Sequence, residues 1–104
     1  MGERVVDGRR YSWDDAKRRQ VERDHGVDLA TLPEAFGRPT VEMEAQPHER
    51  DGWRFKMLGL AEQTVVVVVY TENDDATKVR LITAWLANKI EQSLYYREIF
   101  GESY

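Results

Sequence analysis

The longest uninterrupted apolar stretch of the chain is a run of five valines, residues 65–69, between Thr64 and Tyr70. A strand with one face in water would alternate apolar and polar residues, and this run does not. Valine is stiff about χ1 and suits a packed, pleated surface better than a helix. The run is also too short to cross a bilayer, which takes about 20 apolar residues. The pattern predicts the central strand of a small sheet, covered on both faces.

Alternating apolar and polar positions predict further strands on either side of the valine run. Residues 40–46 alternate and read as a half-exposed edge strand, and residues 53–58 alternate in the same way. Another strand is predicted from Thr77 to about Ala84. Short polar loops join these segments, so neighbouring strands are expected to pair antiparallel. The prediction is a meander of about four strands.

Helical segments are predicted at both ends of the chain. Ser12 or Asp14 can cap a helix that runs to about Asp24, and Gly26 suits the position after its last turn. The alternative for residues 11–13, a short strand or the lead-in to this helix, stays open. The expected fold class is α+β, with helices from both ends covering one face of the sheet.

Two further helices complete the prediction. Asp28 can cap a short second helix through Phe36, although Pro33 inside that span favours a start near Leu32. Residues 85–100 have apolar positions at helical spacing and predict a C-terminal helix. The predicted architecture is therefore two N-terminal helices, the antiparallel sheet and one C-terminal helix.

Composition and charge narrow the classes of function. The chain has 104 residues, enough for one domain over 1–104, with 1–10 and 101–104 as flexible ends. It has no cysteine and no apolar leader, which fits the reducing cytoplasm. The net charge of −4 opposes simple charge-driven binding to nucleic acid, but residues 1–23 carry 7 Lys or Arg against 5 Asp or Glu. A basic patch on one face therefore remains possible.

Three segments, taken in order, resemble the BrnT family of type II toxins. The first is Tyr-Ser-Trp-Asp-x-x-Lys at 11–17, followed by His-Gly-Val at 25–27. The second is Arg54 and Gly59 ahead of the valine run, and the third is Val-Arg-Leu-Ile-Thr-Ala at 79–84, followed by Ala87, Glu91 and Tyr95. Together they cover about residues 11–96. One departure is Trp85, which stands where the family usually has an arginine.

The resemblance implies a fold, an activity and partners. BrnT proteins are similar to the RelE group of small ribonucleases, so the fold is expected to be RelE-like. The implied activity is endonucleolytic cleavage of RNA without a metal or other cofactor. The implied partner is a BrnA-like antitoxin that forms a hetero-oligomer with the toxin and makes any DNA contact itself. No membrane partner is expected.

Metal-free RNA cleavage requires cations for the phosphorane and groups that move two protons. Candidate catalytic residues are His25, Arg54, Arg80 and Glu91. Candidate RNA-binding residues are Lys17, Lys56, Trp85 and Tyr95. With only two histidines and neither a His/Cys cluster nor an HExxH motif, a metal site is not expected.

Each candidate also has a purely structural explanation. Arg54 and Lys56 can be no more than the solvent-exposed face of a hairpin, and Arg80 can pair with a glutamate on the edge strand. Lys17 can be a solvated helix residue. His25 can bond the last carbonyls of its helix, and Glu91 can cap a helix. Tyr95 and Trp85 can pack in the core.

Two hypotheses follow from the sequence. The first is a BrnT-type endoribonuclease toxin held inactive by an antitoxin. The second is a catalytically inactive protein-binding module on the same scaffold, motivated by Trp85 and by the net acidity. Toxicity on expression without the partner, relieved by mutation of Arg54 or Arg80, would distinguish the first from the second.

Overall fold

A computed structural model describes residues 1–50 and 52–101 of the chain. Within these residues, one sheet of six strands is flanked by two α-helices and two short 3₁₀ segments. The elements, in chain order, are β1 (Gly2–Val6), β2 (Arg9–Trp13), α1 (Asp15–His25), the 3₁₀ segments Leu29–Thr31 and Pro33–Gly37, β3 (Val41–His48), β4 (Gly52–Ala61), β5 (Thr64–Glu72), β6 (Lys78–Leu86) and α2 (Lys89–Phe100). The α+β class is confirmed.

The strand order is β1-β2-β6-β5-β4-β3, which places the valine strand β5 inside the sheet. The predicted edge position of residues 40–46 is also confirmed, because β3 is the outer strand on that side. From β3 to β6 the strands form the predicted antiparallel meander. The predicted count of about four strands is wrong, because β1 and β2 extend the sheet to six.

The added N-terminal hairpin also makes the sheet mixed rather than antiparallel. β1 pairs antiparallel with β2, and β2 pairs parallel with β6 through Arg10–Lys78, Tyr11–Val79 and Ser12–Arg80. Residues 11–13 are therefore a strand, the first of the two alternatives. Residues 1–10, expected as a flexible end, contain β1 and the start of β2; of the expected end 101–104, only Gly101 lies within the described residues.

Four of the five valines of β5, Val65 to Val68, are buried, alternately on the two faces of the sheet, as predicted. Val66 and Val68 belong to one core cluster, and Val65 and Val67 belong to a second. Fully burying a valine side chain stabilises the fold by about 1.5–3 kcal/mol. Because successive side chains point to opposite faces, the run stabilises the layers on both sides of the sheet. The strand thus joins the two halves of the hydrophobic core.

α1 has the predicted boundaries. The Asp14 carboxylate accepts a hydrogen bond from the backbone N–H of Lys17 at 2.9 Å, and Gly26 follows the helix with a φ of 68°. The second predicted helix is wrong as an α-helix. Asp28 caps only a three-residue 3₁₀ turn, and Pro33 opens a separate one, since proline cannot donate within a continuous helix.

The helices cover opposite faces of the sheet, which corrects the prediction that they share one. Val21 of α1 packs in the first core cluster, with the 3₁₀ residues Leu29 and Leu32. Tyr95 of α2 packs in the second cluster, against Leu58. No helix within residues 1–50 and 52–101 combines the length and apolar character needed to span a bilayer.

Candidate phosphate-binding cleft

Three of the predicted cations lie around one open cleft on the sheet. The cleft has a volume of about 320 Å³. Its lining residues come from the start of α1, the β3–β4 turn, β4 and β6: Asp14, Lys17, Arg50, Arg54, Arg80, Leu81 and Ile82. The fold thus brings Lys17, Arg54 and Arg80 together from three separate elements.

Strand register explains why Arg54 and Arg80 face the same side. Phe55 lies opposite Tyr70 and Thr71 lies opposite Arg80, so Arg54, one residue before Phe55, falls in the same row as Arg80. Only β5 separates their strands, and neighbouring strands lie about 4.8 Å apart. The two backbones are therefore about 10 Å apart, and both side chains project from the face that also carries Lys56.

A β-bulge lies directly beside the cleft. Tyr70 pairs with Leu81 and Val69 pairs with Thr83, which leaves Ile82 as an extra residue in β6. Because of this insertion, Leu81 and Ala84 both point into the first core cluster although they are three residues apart. Bulges re-aim the side chains next to them, and here the bulge lets Arg80 and Thr83 share the opposite face.

The start of α1 forms the other wall of the cleft. Lys17 lies in the first helical turn, and Asp14 is held at the helix start by the cap hydrogen bond. The cap explains why an aspartate stands among cations, since its carboxylate accepts a backbone N–H that the helix leaves unpaired. Asp14 therefore caps the helix that carries Lys17 and also lines the cleft.

The lining is strongly positive although the chain is acidic. Four cationic side chains lie around the cleft, against the single carboxylate of Asp14. Among the described residues, Lys17, Arg50 and Arg80 form no ion pair. The structural alternative for Arg80, an ion pair with a glutamate on the edge strand, is therefore not found among the described residues. Unneutralised guanidinium groups in a concave site suit a phosphate, which they can contact bidentately.

A second cavity of about 220 Å³ adjoins the cleft, and Arg54 lines both. Trp85 and Lys56 both line it, with the Lys56 ammonium 5.4 Å from the centre of the indole ring. Lys56 also forms an ion pair with Glu44 at 3.5 Å, which its solvent-exposed alternative did not include. Trp85 is half-buried at the border of the second core cluster. Lys56 and Trp85 thus lie beside the cleft rather than in it.

Two predicted catalytic residues are not brought to the cleft. His25 is the last residue of α1, eight residues beyond Lys17, and a helix rises about 1.5 Å per residue. The Glu91 carboxylate accepts a hydrogen bond from the backbone N–H of Asn88 at 2.9 Å, and the Asn88 side chain accepts one from Glu91 N–H at 2.8 Å. This reciprocal pair is a capping box at the start of α2. Neither residue lines the cleft.

The structure also corrects the prediction that Tyr95 binds RNA. Its side chain is only 2% exposed, and its hydroxyl donates a hydrogen bond to the carbonyl of Pro39 at 2.9 Å. Burial raises the pKa of this hydroxyl above its ordinary value. The ring packs between α2 and the sheet, so Tyr95 cannot contact RNA in this structure.

Arg50 and Asp14 line the cleft, although Arg50 was absent from the predicted site and Asp14 was predicted only as a cap. Arg50 lies in the turn between β3 and β4, where its backbone N–H donates to the His48 ring at 3.3 Å. A lone arginine in a turn has no spacing that would single it out in the sequence. In residues 1–50 and 52–101, no group of three or more His, Cys, Asp or Glu side chains is placed to hold a metal ion.

The fold and the cleft define a small α+β protein with a cationic site suited to a phosphodiester. Comparison with protein-family models identifies the family. Residues 13–91 match the model described as the ribonuclease toxin, BrnT, of type II toxin-antitoxin systems. The match covers about three quarters of the chain, and the chain belongs to this family. None of the curated proteins matches it. The resemblance drawn from the three sequence segments is confirmed.

Proposed function

We propose that this protein is a metal-independent endoribonuclease toxin that binds the RNA backbone in the cationic cleft. The observation that carries the proposal is the convergence of Lys17, Arg54 and Arg80 from α1, β4 and β6 on one site. The family is one of ribonuclease toxins, which makes RNA the expected polyanion. Arg50 adds a fourth cation from the β3–β4 turn.

In the proposed mechanism the arginines stabilise charge at phosphorus. Attack by the ribose 2′-hydroxyl places an additional negative charge on the phosphorane oxygens, and guanidinium groups bind such oxygens more strongly as that charge develops. Two protons must also move, one from the 2′-hydroxyl and one to the leaving 5′-oxygen. Of the lining side chains, we assign these two steps to Asp14 and Lys17. The Asp14 carboxylate would accept the proton of the 2′-hydroxyl, and the Lys17 ammonium would donate one to the 5′-oxygen. His25 and Glu91 are left out of the proposed site.

The proposal includes a partner. A BrnA-like antitoxin would bind the toxin, block its activity and make any operator DNA contact in the complex. Membership of a type II toxin-antitoxin family supports an antitoxin partner in general. With RNA as the substrate, we propose the cytoplasm as the place of action.

The direct test is cleavage of a long RNA by the purified protein in EDTA. Arg80→Ala and Arg54→Ala should each lower the rate at least 100-fold, the size of effect seen when one charge-stabilising donor is lost. Lys89→Ala is the matched control for Arg80, since Lys89 is an exposed cation at the start of α2 and does not line the cleft. Lys17→Ala should also lower the rate, and Arg19→Ala, on the exposed surface of α1, is its control.

The alternative function is a catalytically inactive binding module. The half-buried Trp85 beside the cleft motivates it, because an aromatic ring there cannot neutralise a phosphate. A folded wild-type protein that does not cleave RNA in EDTA, and is harmless when expressed alone, would favour this alternative. Cleavage that Arg54→Ala and Arg80→Ala leave unchanged would reject the assignment of the cleft.

A further inference from the structure

We propose that Trp85, with Lys56, forms a nucleobase-binding subsite next to the phosphate-binding cleft, in which a base of the bound RNA stacks on the indole ring. The inference rests on the proposed function, because it names how RNA is held at that site. It concerns the second cavity, for which the cleavage chemistry gives no role.

The position of Trp85 is the first support. Trp85 lies opposite Val67 on β5, and Thr83 lies opposite Val69, so both project from the sheet face that carries Arg54 and Arg80. The cavity that Trp85 lines also includes Arg54, which is a wall of the cleft as well. A nucleotide with its phosphate at Arg54 would therefore extend toward the indole ring.

The environment of the ring is the second support. Trp85 is packed on one side against the second core cluster, which fixes its plane without covering it completely. Lys56 lies over the ring at 5.4 Å, and its ion pair with Glu44 is long, at 3.5 Å, between partly exposed side chains. A base stacked on an aromatic ring generally gains more than an exposed cation gains there. The flexible Lys56 can move aside toward the backbone phosphate.

A third cavity adjoins the phosphate-binding cleft on the side away from Trp85. It has a volume of about 360 Å³ and shares Arg80 with the cleft, and its other walls include Lys78, the ion pair of Arg10 with Glu3, and Glu72. Three cavities thus follow one another across the strands, joined first by Arg54 and then by Arg80. This arrangement fits a single RNA strand that crosses the sheet, with Trp85 at one end of the track.

Trp53 provides a matched control. Trp53 is 55% exposed and lies on β4, directly before Arg54, so strand alternation places its side chain on the opposite face of the sheet. If any large exposed indole increased RNA affinity by non-specific contact, Trp53 would do so as well. The subsite proposal predicts that only Trp85 matters.

The test measures binding of a fluorescently labelled 2′-O-methyl oligoribonucleotide, which lacks the attacking hydroxyl and cannot be cleaved. Trp85→Leu keeps apolar bulk for the core but removes the stacking surface, and it should weaken binding about 5- to 150-fold. Trp85→Phe should restore most of the affinity, and Trp53→Leu should change nothing. Thermal melting of each variant checks that it is folded.

Salt titration separates stacking from charge. Trp85→Leu should leave the slope of log K against log salt unchanged, because it removes no phosphate contact. Arg80→Ala should reduce that slope by about 0.7, the value for one phosphate contact to a single strand. A Trp85→Leu variant that is folded and binds as tightly as wild type overturns the subsite. Equal losses for Trp85→Phe and Trp85→Leu overturn it too.

The same experiments keep the two proposals apart. Wild-type protein that cleaves RNA in EDTA while Trp85→Leu binds normally retains the ribonuclease and rejects the subsite. Wild-type protein that binds the oligonucleotide through Trp85 but cleaves no RNA rejects the catalytic proposal and retains the subsite. Wild-type protein that binds no RNA rejects both, and Trp85 would then belong to a protein-binding surface.

Discussion

Replacing Glu91 by alanine distinguishes a structural carboxylate from a catalytic one. Glu91 was a catalytic candidate in the sequence, but its carboxylate accepts the Asn88 N–H at 2.9 Å in the capping box of α2. The variant loses this hydrogen bond, worth about 0.5–1.5 kcal/mol. It also loses a negative charge at the positive end of the helix, worth about 0.3–1 kcal/mol.

Together these effects predict a loss of about 1–2 kcal/mol in the free energy of unfolding. The higher helix propensity of alanine offsets only a small part of it. For a chain of this length, 1 kcal/mol shifts Tm by about 4–8 °C, so Glu91→Ala should melt about 5–12 °C lower. Glu91→Gln should recover part of the loss, because glutamine also completes a capping box.

Glu98→Ala is the control, with the same substitution on an exposed position of the same helix. It should leave Tm unchanged or raise it slightly, since a carboxylate is unfavourable in the last turns. RNA cleavage in EDTA, measured well below both melting temperatures, should be the same for Glu91→Ala and wild type. The reasoning fails if Glu91→Ala melts like wild type yet cleaves no RNA, because Glu91 would then act in catalysis.

Three further predictions concern stability. Tyr95→Phe removes a buried hydrogen bond to a backbone carbonyl and should cost about 1–2 kcal/mol in urea unfolding, with unchanged RNA affinity; an affinity loss would contradict its core position. The hydrogen bond from Arg18 holds the pKa of Asp28 below its usual value, so its stabilisation is complete above about pH 4 and is lost as pH falls through the folded-state pKa. Asp28→Asn should therefore be less stable at pH 7 but lose less on acidification, and parallel acid titrations would refute this. A methyl group at Gly2 would lie 2.0 Å from the Trp13 indole, so Gly2→Ala should lower Tm measurably, and an unchanged Tm would show that the hairpin shifts freely.

The sheet core was predictable because its signal is local. Five adjacent valines cannot form a strand with one face in water, so they indicate a strand inside the sheet. The alternation of residues 40–46 indicates a strand with one exposed face, at the edge of the sheet. The pairing of β2 with β6 joins residues 68 apart in sequence, as in Arg10 and Lys78, and no local pattern reports it. Which face each helix covers is equally non-local, since apolar spacing shows only that a helix has a buried side.

The candidate site was predictable only in part, for the same reason. Lys17, Arg54 and Arg80 were selected by chemistry and by the order of three segments, and the fold then places them together. His25 and Glu91 satisfy the same chemical criteria, but the sequence does not show how far they lie from these cations in the folded protein. Arg50 has no motif at all, and only the closure of the β3–β4 hairpin brings it to the cleft.

The parallel pairing of β2 with β6 has a consequence for the newly made chain. Lys17 and Asp14 are synthesised early, but the cleft they line is closed by Arg80 and Ile82 of β6. The N-terminal hairpin therefore has no neighbouring strand until β6 has left the ribosome, and the loop that must close is long. A nascent chain that has not yet reached β6 therefore cannot assemble the cleft. The proposed RNA-binding site forms only once β6 is available to pair with the N-terminal hairpin.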